Sequence, residues 1–254
     1  MKIFTLNLKG VVFFTRLFLR IASALVIFML IFNVTTATLA NSSAYTETVS
    51  DITDNGIIII DAGHGGEDCG AVGVGGVLEK DLNLSVSYTL GELLSDAGYA
   101  VVYTRTQDKL LYTEEQNIKG MRKIYDLKNR CKIAAEHPNA LFVSIHMNSY
   151  GDAKYSGLQV YYSDKNADSQ NLASSIQTSV KGLLQPDNKR VIKPGRGIYL
   201  LENTDNVSVL IECGFISNAV ECEKLSEKEY QKELCFSILC GIIEYKEKNL
   251  KEED

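Results

Sequence analysis

The sequence predicts an α/β domain built on a mainly parallel sheet. Short apolar runs rich in β-branched residues recur along the chain, as at 57–60, 140–145 and 207–211. Longer amphipathic stretches alternate with them, as at 78–97, 127–136 and 167–184. Three of the short runs lead into a histidine or glutamate beside small residues. In open α/β sheets the carboxyl ends of strands are where ligands gather.

Residues 1–40 hold Lys2, Lys9, Arg16 and Arg20 and no acidic residue, then an apolar run at 21–32 and a small-residue end at 37–40. This is the layout of an export signal. The apolar core is shorter than the ~20 residues of a comfortable spanning helix. Extension through Leu39 would lengthen it, so cleavage as a signal peptide and retention as a signal anchor both stay open. Either way the remainder is expected outside the cytoplasm. Residues 41–56 are polar and read as a linker. That leaves 57–248 as one domain of ordinary size.

The whole chain carries a formal charge of −6. The first 40 residues contribute four basic groups, so the rest has 22 basic against 32 acidic residues, a net charge near −10. An acidic domain without basic clusters is a poor nucleic-acid binder. Binding to an anionic polymer would have to be local. Six cysteines and no C-x-x-C pair point to buried free thiols, since a domain of this size needs no staples. Cys69 and Cys213 lie close to the polar strand ends, and metal ligation by either is the alternative.

Taken in order, the four isoleucines at 57–60 form a run too short and too β-branched for a helix. They read as a strand buried on both faces. The strand stops at Asp61 and enters Gly63-His64-Gly65-Gly66, where glycine permits positive φ and close backbone approach. No lysine follows as it would in a phosphate-binding P-loop. A helix is expected over 78–97, with Glu79 in its first turn, where the helix dipole favours a carboxylate, and Gly98 as its stop. A strand at 100–104 leads to Arg105. Residues 106–126 are a polar surface excursion, and a helix follows at 127–136. The strand at 140–145 delivers His146. Further strands are expected at 157–162, 197–201 and 207–211, the last delivering Glu212. Helices fill 167–184 and 227–246. His137, before Pro138, reads as a surface residue at a helix end.

Each polar strand-end residue has a bland explanation by itself. His64 could be a turn residue, Glu79 a dipole-favoured carboxylate, His146 a satisfied histidine, and Glu212 one half of an ion pair. Together, two histidines and two glutamates at one sheet edge have a natural partner in a divalent metal, because buried carboxylates need one. Two histidines and a glutamate commonly hold catalytic zinc and leave a fourth position open. A further glutamate can then move a proton.

The segments I-D-A-G-H-G-G-E-D at 60–68, L-E-K-D-L-N at 78–83, S-I-H-M-N-S at 144–149 and L-I-E-C-G-F-I-S-N at 210–218 resemble the zinc-dependent N-acetylmuramoyl-L-alanine amidases. Thr104-Arg105 with Asp108, and Gly195-Arg196-Gly197, are similar to further family motifs. The resemblance covers about 57–245 and is nearest the small sporulation- and germination-specific amidases of endospore formers. It implies a single domain with a twisted, mostly parallel six-stranded sheet and helices on both faces. It implies one zinc held by His64, Glu79 and His146, with Glu212 as catalytic base. The implied reaction is hydrolysis of the amide between N-acetylmuramic acid and L-alanine in peptidoglycan, in spore cortex modification. Location would be the cell wall side of a membrane, including the forespore intermembrane space.

The segment at 106–126 is longer than in plain members. No long insertion follows His146 of the kind that carries an inhibitory helix, which points to control by expression or by an accessory activator protein. Asn148 and the backbone near 65–66 are expected to orient substrate. Asp61, Glu67 and Asp68 are either groups that orient His64, Asp61 first among them, or solvated turn residues. A zinc peptidase cutting within the stem peptide is one alternative. A catalytically silent wall-binding protein is another, weakened by the presence of Glu212.

Overall fold

The computed structural model describes residues 55–252. The predicted export segment lies outside the described residues, as does all of the linker except its last two positions. Among the described residues, no helix is long and apolar enough to cross a membrane.

Six strands form one sheet: β1 (Ile57–Ala62), β2 (Ala100–Tyr103), β3 (Leu141–Asn148), β4 (Gln159–Tyr162), β5 (Lys193–Pro194) and β6 (Ser208–Phe215). Their spatial order is β2-β1-β3-β6-β4-β5. Every pairing is parallel except β4 with β6. The helices are α1 (Glu79–Asp96), α2 (Arg122–Ala135), α3 (Asp168–Leu183), α4 (Tyr199–Asn203), α5 (Ala219–Ser226) and α6 (Lys228–Glu252).

Strand alternation explains why β1 is apolar throughout. Ile58 and Ile60 enter the larger core, which includes Leu90 of α1, Ile176 of α3 and Ile238 of α6. Ile59 enters a smaller core on the opposite face with Ala134 of α2, Phe142 and Leu200 of α4. Helices therefore cover both faces, but unequally. His146 and Glu212 alternate with the large-core residues Ile145, Met147, Ile211 and Cys213. They accordingly face the sparsely covered side.

The topology positions the site. β1, β3 and β6 are neighbours, and the chain leaves β1 toward β2 on one side while β3 lies on the other. This reversal opens a crevice at the strands' carboxyl ends. In register, Asp61 stands beside Ser144 and His146 beside Glu212.

Several expected boundaries are corrected. The strand expected at 197–201 is not one: the edge strand is Lys193–Pro194, and after a turn at 196–197 the chain enters α4. Gly197 has φ 81 and breaks the extended path, while Leu200 and Leu201 are both buried, which adjacent residues of a strand on this edge could not achieve on one face. β3 and β6 run past the expected ends, so His146 and Glu212 lie inside paired strands. An irregularity after His146–Glu212 sets three steps on β6 against two on β3, which keeps the pair together to Asn148–Phe215. α2 starts at Arg122 rather than 127. The C-terminal helix is preceded by a separate α5, whose Asn218 cap accepts from the Glu221 backbone N–H.

Candidate metal centre

The turn after β1 is held by buried charge. The Asp61 carboxylate is fully buried in β1. It accepts hydrogen bonds from Arg130 Nη1 (2.6 Å), Thr104 Oγ1 (2.7 Å) and Ser144 Oγ (2.6 Å). Burial works to raise its pKa, but Arg130 and the hydroxyl donors outweigh this and hold it below the usual carboxylate range. Arg130, on α2, also pairs with Asp126 one turn earlier at 2.8 Å.

The same guanidinium then fixes the backbone. Arg130 donates to the carbonyls of Ala62 (2.7 Å) and His64 (2.8 Å). Arg105 donates to those of Ala62 (2.9 Å) and Gly63 (3.0 Å), and Asn83 adds a third donor to this turn at Gly63 (3.1 Å). Three consecutive carbonyls are thus clamped. They surround His64, which has φ 61 and is the one non-glycine residue with positive φ among those described. That conformation costs an L-residue about 1–2 kcal/mol, and the clamp is what offsets it. Gly65 beside it cannot carry a side chain, because a Cβ there would collide with the Lys109 carbonyl.

Asp61 therefore does not touch His64. The expected orienting role falls to Asp68, whose Oδ2 lies 2.9 Å from His64 Nδ1 and 2.9 Å from Lys123 Nζ. A carboxylate only accepts, so Nδ1 carries the proton and Nε2 keeps its lone pair for another partner.

That lone pair faces Glu79. Glu79 Oε1 lies 3.2 Å from His64 Nε2 and 2.9 Å from His146 Nδ1. Its Oε2 is anchored by the Ala71 backbone N–H at 2.8 Å. His64, Glu79 and His146 each offer a ligand atom within 4.8 Å of the others. The His146 ring lies against Gly63, where any Cβ would collide with it.

The electrostatics call for positive charge at this point. Burial alone would raise the Glu79 pKa, yet the two histidines pull it far below the carboxylate range. Burial alone would lower that of His64, yet Glu79 and then Asp68 raise it. No lysine or arginine pairs with Glu79 among the described residues. Two nitrogens and a carboxylate oxygen converging on one point fit a divalent cation. Neither cysteine joins them: the Cys213 thiol is in the large core across the sheet, and all six thiols are free.

Glu212 stands beside this cluster but outside it. Its Oε2 is sealed from solvent and has no hydrogen-bond partner among the described residues. Burial pushes its pKa up to about 7, with Glu79 adding to the rise and the histidines opposing it. A carboxyl poised near neutrality beside a candidate metal centre suits proton transfer.

Sequence reading missed Arg130 and Asp126 as parts of this assembly, and it favoured Asp61 over Asp68 as the group that orients His64. A signal for the first two existed, since Asp126 and Arg130 are four apart on one helical face, but nothing local shows that the pair is buried. The 106–126 excursion also has a visible task. Asp108 accepts from the Gly66 N–H and Lys80 Nζ, both at 2.7 Å, and Arg122 pairs with Glu67 at 2.6 Å. The segment braces the glycine turn from outside.

Comparison with known proteins gives the family of the chain. The family described as N-acetylmuramoyl-L-alanine amidase (Amidase_3) matches residues 58–244. The germination-specific N-acetylmuramoyl-L-alanine amidase of Bacillus subtilis is 38% identical over 189 residues, covering 74% of this chain and 79% of that protein. The CwlD amidase of Clostridioides difficile, solved in complex with the GerS lipoprotein, is 41% identical, with a TM-score of 0.71 over 74% of this chain and 97% of that one. The amidase AmiC2 of Nostoc punctiforme is 29% identical, with a TM-score of 0.65 over 76% and 98%. With the fold, the strand-end cluster and these similarities in agreement, the chain belongs to the N-acetylmuramoyl-L-alanine amidase family and is an enzyme of that class.

Proposed function

We propose that the chain hydrolyses the amide joining N-acetylmuramic acid to L-alanine in peptidoglycan, with one zinc ion held by His64, Glu79 and His146. The observation that carries this reading is Glu79 Oε1 set between His64 Nε2 and His146 Nδ1, with the unpartnered Glu212 carboxyl alongside. Zinc in such a site supplies Lewis acidity that polarises a carbonyl and acidifies water.

The protein's own groups do the rest. His64 is oriented by Asp68 and by the carbonyl clamp. Glu79 is fixed at both oxygens, so the three donors are set before substrate arrives. Glu212, ionised, takes a proton from the attacking water as its oxygen bonds to the lactyl carbonyl carbon. It returns that proton to the alanine nitrogen as the C–N bond breaks, so no covalent acyl-enzyme is needed.

Product analysis tests the reaction. Mass spectrometry of digested peptidoglycan is expected to show muramic acid without peptide and stems with a free alanine amine. Alanine left on muramic acid would identify a stem-cutting peptidase instead. The ligand set has its own test by metal analysis after dialysis. His146→Ala is expected to lose bound zinc. Asp68→Ala is expected to retain the fold and weaken zinc binding about 10–100-fold, as loss of a ligand-orienting group does. Unchanged zinc in both would remove this ligand set.

Relatives named as cell wall amidases support action outside the cytoplasm, and the germination-specific relative supports a role in spore cortex modification. The lipoprotein complex of the related CwlD supports an accessory protein for this chain too. Cortex muropeptides from spores lacking the protein are expected to keep their stem peptides where the wild type has bare muramic acid.

A further inference from the structure

Just ahead of β4, the segments 154–157, 184–190 and 218–224 enclose a groove of about 720 Å³. That is ample for a short peptide segment. Its lining carries Lys154, Lys189, Arg190 and Lys224 against Asp187 and Glu221. This balance runs opposite to the charge of the domain. Glu221 is also occupied, its oxygens accepting from the N–H groups of Gly157 (2.8 Å) and Phe215 (2.7 Å). Lys154 is paired with Asp152 at 2.8 Å.

Arg190 is the best-held cation of the set. Its guanidinium lies 4.3 Å over the Phe215 ring. Its Nε donates to the Ser156 carbonyl (2.9 Å) and its Nη1 to Gln159 Oε1 (3.0 Å). Among the described residues it donates no hydrogen bond from Nη2 and has no ion pair. A planar fork held by stacking and two hydrogen bonds, with one nitrogen left over, is prepared for a carboxylate.

Arg190 links the groove to the strand that carries Glu212. Gln159, which accepts from Arg190, is the register partner of Glu212. Phe215 lies three positions past Glu212 on β6. Tyr161 feels both charges: burial and then Glu212 raise its pKa, while Arg190 lowers it. One strand spacing, the Gln159 side chain and its hydrogen bond keep the guanidinium within about 13 Å of the Glu212 backbone, the reach of about four residues of extended chain.

We propose that this groove seats the carboxylates of the stem peptide as it leaves the scissile amide, with Arg190 as their anchor. The inference rests on the amidase reading above and adds how an acidic domain engages an anionic peptide.

The test uses the full chain and two muropeptides of identical sequence, one with its stem carboxylates free and one with them amidated. Wild type is expected to favour the free form in kcat/KM by about tenfold or more, the scale of a charge-assisted bond. Arg190→Gln is expected to bring that ratio near one, chiefly through KM, and Arg190→Lys to restore part of it. Should Arg190→Gln fail to fold by circular dichroism, the Lys189→Gln/Lys224→Gln double variant carries the test, and a reduced ratio supports the groove. A wild-type ratio near one, or a ratio unmoved by the variants that fold, overturns the proposal. Both muropeptides would still be cut at the lactyl amide in that event, so the amidase reading would survive. Cleavage of neither at that bond would sink both.

Discussion

Glu212→Gln is expected to keep the fold and bound zinc and to lose hydrolysis of purified peptidoglycan by about 10²–10⁴-fold, the usual worth of a positioned acid–base group. Glutamine keeps the shape and leaves the three proposed metal ligands untouched, so loss of activity with zinc retained separates base from ligand. The wild-type rate should also have an acid limb. A base works only when ionised, so activity falls as pH drops through the Glu212 pKa. Burial pushes that value up to about 7, and a cation at the neighbouring site pulls it lower, so the limb is expected on the acid side of that value. Turnover of the variant within a few-fold of wild type would remove Glu212 from the mechanism.

Arg130→Gln is expected to be the most damaging change to stability. It removes one partner from a pair buried at 1% and 0% side-chain exposure and leaves Asp61 charged in the core. Breaking such a pair costs about 3–5 kcal/mol, or roughly 6–20 °C in Tm for a domain of this size. The sign of the pH effect distinguishes this from simple loss of packing. In the wild type the folded Asp61 pKa lies below its unfolded value of about 3.9. Its contribution is present above that value and lost as pH falls through the folded pKa. Without Arg130, burial raises the folded pKa instead, so acidification relieves the buried charge. The stability deficit should therefore be larger at pH 7 than at pH 4.5. Equal deficits at both values would refute the ionic account. The variant also frees the His64 carbonyl, so zinc affinity should fall with stability. Arg130→Lys should recover less than half of either, since one ammonium cannot reach the same set of acceptors.

The fold class and the gathering of His64, Glu79, His146 and Glu212 at one sheet edge were legible because both are written locally. An apolar run of four β-branched residues needs a strand with two covered faces, and residues at strand ends project where parallel topology gathers them. The sequence also carried the family motifs, and those fell on residues that the fold brings together. What could not be read locally depends on distant partners. Asp61 and Arg130 are 69 residues apart, and only the β1–β3 register and the packing of α2 show that Asp61 serves the backbone clamp while Asp68 orients His64. The segment at 197–201 reads as a strand by composition, but a left-handed glycine and two adjacent buried leucines turn it into a helix.

The sequence alone thus determined the α/β class, the placing of polar residues at strand ends and the family, since periodicity and motif order are properties of neighbouring residues. Only the tertiary structure decided which carboxylate faces which nitrogen, how His64 is held at positive φ, and how Arg190 is joined through Gln159 to the strand that carries Glu212. Those outcomes depend on burial and distance, which raise the cost of an unpaired charge and so select its partner.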